Sequence, residues 1–231
     1  MELGKIFDEM KSQIGGEKNE SIQWYLKRPR SISRKSFFEA AVWAIWSAGK
    51  SYQATEKFLE HAEAVGFDWD YNTFGSWDDD HLKRFIEKLH GRPVNKSSQV
   101  YKRWRAVHSI ARMLKDCQND EAFCRDFFNG KTKSADLDRS DVENLIKRRL
   151  PWIGKANAHF ILRNMGGEFI KCDRWVQAFL EHYKISQEDL EKKLKELNIP
   201  LGLFDVVLWD YCSGFIKATE KFNEYFKQNF P

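Results

Sequence analysis

The sequence has no Cys-x-x-Cys pair, and its cysteines, Cys117, Cys124, Cys172 and Cys212, are scattered along the chain. A zinc site or a cysteine-ligated iron–sulfur cluster needs four suitably spaced ligands, so neither is expected and the thiols read as free, small buried residues. His108 and His159 lack metal-ligand spacing and read as structural. There is no apolar run of transmembrane length and no secretory leader, which predicts a cytoplasmic protein with no membrane partner. No useful window alternates polar and apolar residues as a half-buried strand would, and no repeat or low-complexity tract breaks the chain. An all-α fold class is the expectation.

What the sequence does have is aromatic and basic. At 231 residues and 42% hydrophobic, it can build a substantial core as one large domain or two lobes sharing a cleft. Nine Trp, eighteen Phe and seven Tyr bring the aromatic content to 15%, more than an average core asks for, so some of these rings are candidates to face a ligand. The net charge is only +4, yet Lys and Arg are clustered in "KRPR" (27–30), "SRK" (33–35), "YKRWR" (101–105) and "IKRRL" (146–150). Each cluster alone is as readily a solvated face; four together point toward nucleic acid, a bacterial host implying association with the nucleoid.

Helical spacing recurs throughout. Residues 36–62 carry apolar residues at 37, 38, 41, 42, 45 and 46, with a break at Gly49 and Ser51 before a second helix. Acidic residues open 78–91 and a Gly closes it, as the helix dipole favours. A long helix is predicted over 95–114 with Asn95 as its cap, and another over 140–150 with Ser140 and Glu143 as a capping box. Residues 186–198 open on Ser-x-x-Asp, and an apolar helix ends the chain. The stretch 66–77 has no helical period and reads as an aromatic loop, while residues 1–20 read as loosely held.

The segment "LPWIGKANAHFILRNMGGEFIKCDRWVQAFL" (150–180) is the most informative. Pro151 disfavours the helical conformation at Leu150, and Gly154 is free to take a positive φ, so two helices meet at a tight hairpin. The amides of Ile153, Gly154 and Lys155 then open the second helix without intrahelical partners, an arrangement that accepts a phosphate oxygen as readily as it forms a plain αα-hairpin. That helix should end at Gly166-Gly167. Ten helical residues advance about 15 Å and five extended ones recover about the same distance, which returns Asp173 to the hairpin. Asp173 also opens the next helix, where an N-cap is the commonest use of an Asp.

These residues resemble the helix-hairpin-helix DNA glycosylase superfamily, whose mark is Leu-Pro-Gly-x-Gly, a helix, and a distal Asp. Leu150-Pro151-Trp152-Ile153-Gly154 matches the hairpin, Ala158 and Leu162 fit the apolar positions of the helix, and Asp173 lies nineteen residues past Gly154. The segments 44–51 and 95–114 are similar to the helix end that carries a base-replacing residue and to the helix before the hairpin. The resemblance covers roughly 36–180. It implies two helical lobes around a central cleft in a single unit over 1–231: a six-helix-like lobe over 36–135, the hairpin and catalytic Asp over 136–180, and a second lobe from 1–35 with 181–231.

The sequence departs from the superfamily at three positions. Trp152 stands in place of the first hairpin Gly. Where bifunctional members have a nucleophilic Lys this chain has Ala156, and Lys155 is one place early, a rotation of about 100° on a helix. Gly49 falls where a gap-filling Gln is found in some members, leaving Lys50, Tyr52 or Gln53 as substitutes. The cluster loop of some members is absent, and no cofactor is implied beyond room for a structural monovalent cation at the hairpin. The resemblance thus implies a monomeric, monofunctional DNA glycosylase that takes a damaged or modified base from double-stranded DNA. Trp152, Ile153, Gly154 and Lys155 would hold phosphate, and Asp173 would stabilise the cationic sugar and activate water. Trp46, Trp69, Tyr71, Trp175 and Trp209 are candidates to sandwich the base, the loop pair Trp69 and Tyr71 foremost, although core packing is the commoner use of each. Asp205 and Asp210 are further acids, better read as solvated. A lyase using Lys155 and a non-catalytic DNA-binding protein stand as alternatives.

Overall fold

The computed structural model of the chain describes residues 2–48, 50, 52–171 and 173–215. Among these the secondary structure is helical, with one isolated antiparallel bridge between Ser31 and Lys133. No helix among them is long and apolar enough to cross a membrane.

Two apolar clusters organise the helices. The larger gathers α3 (Arg34–Ser47), α4 (Tyr52–Ala64), α5 (Tyr71–Gly75), α6 (Asp79–His90), α7 (Gln99–Asp116), α8 (Asp120–Phe128), α9 (Arg139–Lys147) and α10 (Lys155–Asn164). Its centre is aromatic: Trp104 on α7 meets Trp46, Phe67 and Phe85 at ring centroid distances of 4.9–5.1 Å. The smaller cluster gathers α1 (Leu3–Gln13), α2 (Glu20–Leu26), α11 (Arg174–Tyr183), α12 (Gln187–Glu196) and α13 (Leu201–Phe215). The chain crosses between them at Phe169 and Ile170, which are buried in different clusters.

The start of the chain is anchored, contrary to the sequence expectation. Leu3, Ile6, Phe7 and Met10 repeat at helical spacing and are buried beside α13. Nor is 66–77 merely a loop. Asp70 caps the short helix α5, and Gly75 lets it lie on α7, where a Cβ would stand 2.8 Å from the backbone of Ala111.

Capping choices also shift by a few residues. α7 is capped by Ser98, and Asn95 instead folds its own turn by accepting from Ser97 N. α9 starts on a capping box of Asp138 and Asp141, displacing the expected Ser140 and Glu143. A carboxylate accepts more strongly than a hydroxyl, and Lys131 Nζ, 2.8 Å from both Asp138 and Asp141, holds this pair in place. Ser186 caps α12 at its Ser-x-x-Asp start, and Asp78, the first of the acidic residues that open 78–91, caps α6.

Candidate active site

α9 and α10 form the hairpin, and its backbone differs from the expectation in one respect. Gly154 has an extended conformation (φ −92°, ψ −174°), while Trp152 takes the positive φ of 64°. The turn therefore places its left-handed residue where the Leu-Pro-Gly-x-Gly pattern has its first Gly. Asn157 compensates by donating from Nδ2 to the Trp152 carbonyl at 2.7 Å. Ile153 is buried and its N–H already donates to Leu150 O at 3.1 Å, which removes it from the set of open amides. Gly154 and Lys155 are exposed at the start of α10, and no side chain caps that end. The Trp152 ring is partly exposed beneath the Arg103 guanidinium (5.1 Å). Arg103 also donates to Ala48 O at 3.3 Å, tying the hairpin to the end of α3.

α10 runs as predicted and stops at Gly166. There φ is 101° and a Cβ would overlap the carbonyl oxygen of Pro29. Residues 168–171 have no regular secondary structure, and Asp173 follows as the N-cap of α11, its Oδ1 accepting from Trp175 N (2.9 Å) and Val176 N (3.3 Å). Its other oxygen, Oδ2, lies 3.8 Å from Lys171 Nζ, both side chains being 17% exposed. One oxygen of the Asp thus caps the helix while the other faces Lys171.

Lys171 opens onto a cavity between the two clusters. A cavity volume of about 70 Å³ is lined by Trp24, Trp43, Tyr52, Phe160 and Trp209, with Arg163, Asn164 and Lys171 supplying polar groups. Apolar walls with a few convergent polar groups are the usual lining of a small-ligand site. Trp43 and Tyr52 stack on one side with planes 13° apart and centroids 5.2 Å apart. At the rear, Asp205 is 2% exposed, pairs with the buried Arg163, and accepts the Lys171 N–H at 3.0 Å. Burial raises the Asp205 carboxyl to about 6 against the opposing pull of Arg163. Burial, with Arg163 adding to it, draws the Lys171 ammonium below its usual range despite Asp173 and Asp205.

Of the predicted aromatic residues, only Trp209 lines this cavity. Trp46 is 2% exposed in the larger core. Trp69 and Tyr71 border a neighbouring surface hollow with Lys35 and Glu39, the ring of Trp43 being common to both. There Trp69 Nε1 donates to Glu63, and Tyr71 packs edge-on against Phe38. Trp175 lies under Arg174 against the smaller cluster. An aperiodic segment had suggested a binding loop, but its rings are spent on packing α5.

The gap-filling candidates also separate. Tyr52 is in the cavity wall, Gln53 is exposed on α4, and Lys50 lies over the rings of Trp46 and Phe58 at 5.0 and 4.3 Å. Gly49 and Ser51 lie outside the described residues. Asp205 is buried, contrary to the solvated reading, and Asp210 is half-buried, accepting from Asn19 at 2.8 Å. His108 and His159 are tied to the carbonyls of Trp77 and Lys155, both at 2.9 Å. The basic clusters are partly consumed within the fold, Arg28 by Glu168 and Arg34 by Asp120. Among the described residues, no group of His, Cys, Asp or Glu could hold a metal ion.

Sequence reasoning missed Trp24, Trp43, Phe160, Arg163 and Lys171. No local pattern in the sequence marks them, because the walls are assembled from segments far apart along the chain.

No protein-family model and no curated protein sequence matches the chain. Three solved chains match it along nearly their whole length. The 8-oxoguanine DNA glycosylase of Thermotoga maritima superposes with a TM-score of 0.58 at 18% identity, covering 93% of this chain and 99% of that one. The Methanocaldococcus jannaschii 8-oxoguanine glycosylase/lyase, solved with a 15mer DNA containing 8-oxoguanine, gives 0.52 at 18% identity, covering 94% of each. A further structure of the M. jannaschii 8-oxoguanine DNA glycosylase gives 0.54 at 16%, covering 92% and 95%. At these identities the likeness is one of fold: the chain has the all-α helix-hairpin-helix DNA glycosylase fold.

Proposed function

We propose that this chain, carrying that fold, is a DNA glycosylase that extrudes a damaged or modified base from double-stranded DNA and breaks its N-glycosidic bond. The observation that carries the reading is a carboxylate, Asp173, held as a helix cap beside an aromatic-walled cavity, which an extruded base would have to widen. Extrusion costs a few kcal/mol of stacking, and the rings of Trp43, Phe160 and Trp209 would offset it. As the bond stretches, positive charge develops on the sugar, and the Oδ2 face of Asp173 would stabilise it. The open amides at Gly154 and Lys155, with the exposed Lys27 and Arg30, would hold the phosphates without reading sequence. No cofactor enters this reading, and the protein would act as a monomer.

Lys155 is exposed at the start of α10 and Ala156 has no amine. The hairpin by itself therefore supports a monofunctional enzyme, in which Asp173 draws a proton from the attacking water. The test is to incubate the protein with duplexes that each carry one modified base, 8-oxoguanine first, and to identify released material by mass spectrometry. Release of a free base supports the reading. DNA bound without release from a broad panel would favour a non-catalytic DNA-binding protein.

The hairpin offers a separate check. Gly154 has a φ open to any residue, and a Cβ there meets nothing within 4 Å. Gly154→Ala should therefore leave the melting temperature nearly unchanged, the about 0.4–1 kcal/mol from the restricted unfolded chain being offset by the poorer fit of Ala at the N-cap of α10. The same methyl would stand in front of the amides, and affinity for DNA should fall about tenfold, roughly 1.4 kcal/mol. A fluorescence-anisotropy titration beside a thermal melt reads both; unchanged affinity would remove this hairpin from the interface.

A further inference from the structure

We infer that Tyr52 occupies the place of the extruded base, stacked on Trp43, and that Glu56, to which its hydroxyl donates, selects a base with a ring N–H; this rests on the glycosylase reading.

The volume of the cavity requires that one of its walls yield. About 70 Å³ is under half of the about 150 Å³ that holds a benzene molecule in a protein interior, and every nucleobase is larger than benzene. Among the rings that line it, Phe160 is held by Arg163 and Lys171, each 4.8 Å from its centroid. Trp24 and Trp209 lie within α2 and α13, two of the helices that build the smaller cluster. Tyr52 is the first residue of α4, and its hydroxyl bonds within its own helix, to Glu56 Oε1 at 3.1 Å. Its ring can therefore turn away without breaking that contact's counterpart on another helix.

What Tyr52 does in the cavity is what a base would do there. Its ring lies on the Trp43 indole with planes 13° apart and centroids 5.2 Å apart, an offset stack of the kind that a flat heterocycle makes on tryptophan. The O–H at its far end is given to a carboxylate. Burial, and after it the bond to Glu56, hold this hydroxyl well above the usual tyrosine range, so it stays a donor at neutral pH. Glu20 and Asp210 add negative charge to the same end of the slot.

The departure of Tyr52 thus leaves a flat slot on Trp43 that ends in a carboxylate without its donor. A base with a ring N–H on its pairing edge, a 6-oxopurine above all, restores that bond. Adenine and cytosine present a ring nitrogen lone pair instead, which would face the carboxylate and leave it unsatisfied.

Nucleoside binding to the intact protein reads this without DNA or catalysis. Inosine carries the ring N–H, and 1-methylinosine has the same ring with that donor blocked. Both are titrated by calorimetry into wild type, into Tyr52→Ala, and into Tyr52→Ala combined with Trp43→Ala or with Glu56→Leu, melting temperatures being measured in parallel. Tyr52→Leu takes the place of Tyr52→Ala if the latter unfolds. Tyr52→Ala should bind inosine at least about tenfold more tightly than wild type, and 1-methylinosine about tenfold more weakly than inosine. Adding Trp43→Ala should abolish the gain, and adding Glu56→Leu should abolish the discrimination.

Equal affinity of wild type and Tyr52→Ala for inosine would make the ring a fixed wall. A gain shared equally by 1-methylinosine, or a discrimination that persists in Glu56→Leu, would remove Glu56 as the acceptor; each overturns the inference. Base release from DNA by a wild type whose Tyr52→Ala variant gains no nucleoside affinity would overturn it and leave the glycosylase reading standing. The expected gain in a chain that releases no base from any lesion would uphold the slot on Trp43 and fail the glycosylase reading alone.

Discussion

Asp173→Asn is expected to slow base release by about 10²–10⁴-fold, the usual worth of a positioned charge or base, or roughly 3–5 kcal/mol of barrier. The substitution isolates the charge because Asp173 divides its work between its two oxygens. Oδ1 accepts from Trp175 N and Val176 N, and an Asn carbonyl keeps both bonds, Asn being as good an N-cap as Asp. Oδ2, facing Lys171 Nζ, becomes an uncharged amide. Melting temperature and DNA affinity should therefore stay close to wild type while single-turnover base release collapses. Loss of DNA affinity in parallel with activity would show that the carboxylate acts on binding. Undiminished release would move the chemistry to another residue.

That Asp173 was legible in the sequence, and most of its surroundings were not, has a physical reason. The hairpin, the helix after it, the Gly166-Gly167 stop and the return to Asp173 are local features set by φ preferences and capping, and all can be read from neighbouring residues. Even there the left-handed residue was misplaced. Trp152 bears it, because Asn157 satisfies the strained turn's carbonyl from one helical turn away, an interaction no dipeptide pattern encodes.

The aromatic cavity is different in kind. Its walls come from α2, α3, α4, α10 and α13, which are distant in sequence, and Trp43 in the wall differs from Trp46 in the core only by which way α3 faces. Trp46 lies on the apolar stripe 37, 38, 41, 42, 45 and 46 and Trp43 beside it, but nothing local says that the face beside the stripe borders a cavity and not solvent. Residues 1–20 were misread for a similar reason. α1 is short, and its buried stripe is stabilised by α13, far along the chain.

Arg163→Ala is expected to destabilise the fold at pH 7 by about 3–5 kcal/mol, the usual cost of stranding one member of a buried ion pair. Arg163 is 6% exposed, and Asp205, 2% exposed, is its partner at the junction of α10 and α13. Without the guanidinium, the carboxylate would face only Lys171 as compensating charge, with Asp173 nearby opposing it. The pH dependence follows from the direction of the shift. Burial already raises Asp205 to about 6, above the ordinary carboxylate value, and removing Arg163 raises it further.

The native variant then holds a proton between pH 5 and 7 that the unfolded chain has already released, so its stability should increase as pH falls through that window. Urea unfolding at pH 7 and pH 5 reads this as a smaller deficit at the lower pH, and Asp205→Asn added to Arg163→Ala should recover much of the loss at pH 7. A deficit independent of pH, or no recovery in the double variant, would mean that Arg163 stabilises through packing on Phe160, 4.8 Å from its guanidinium. Base release should fall in the single variant as well. Asp205 accepts the Lys171 N–H, so its displacement would shift Lys171 and, with it, the neighbouring Asp173.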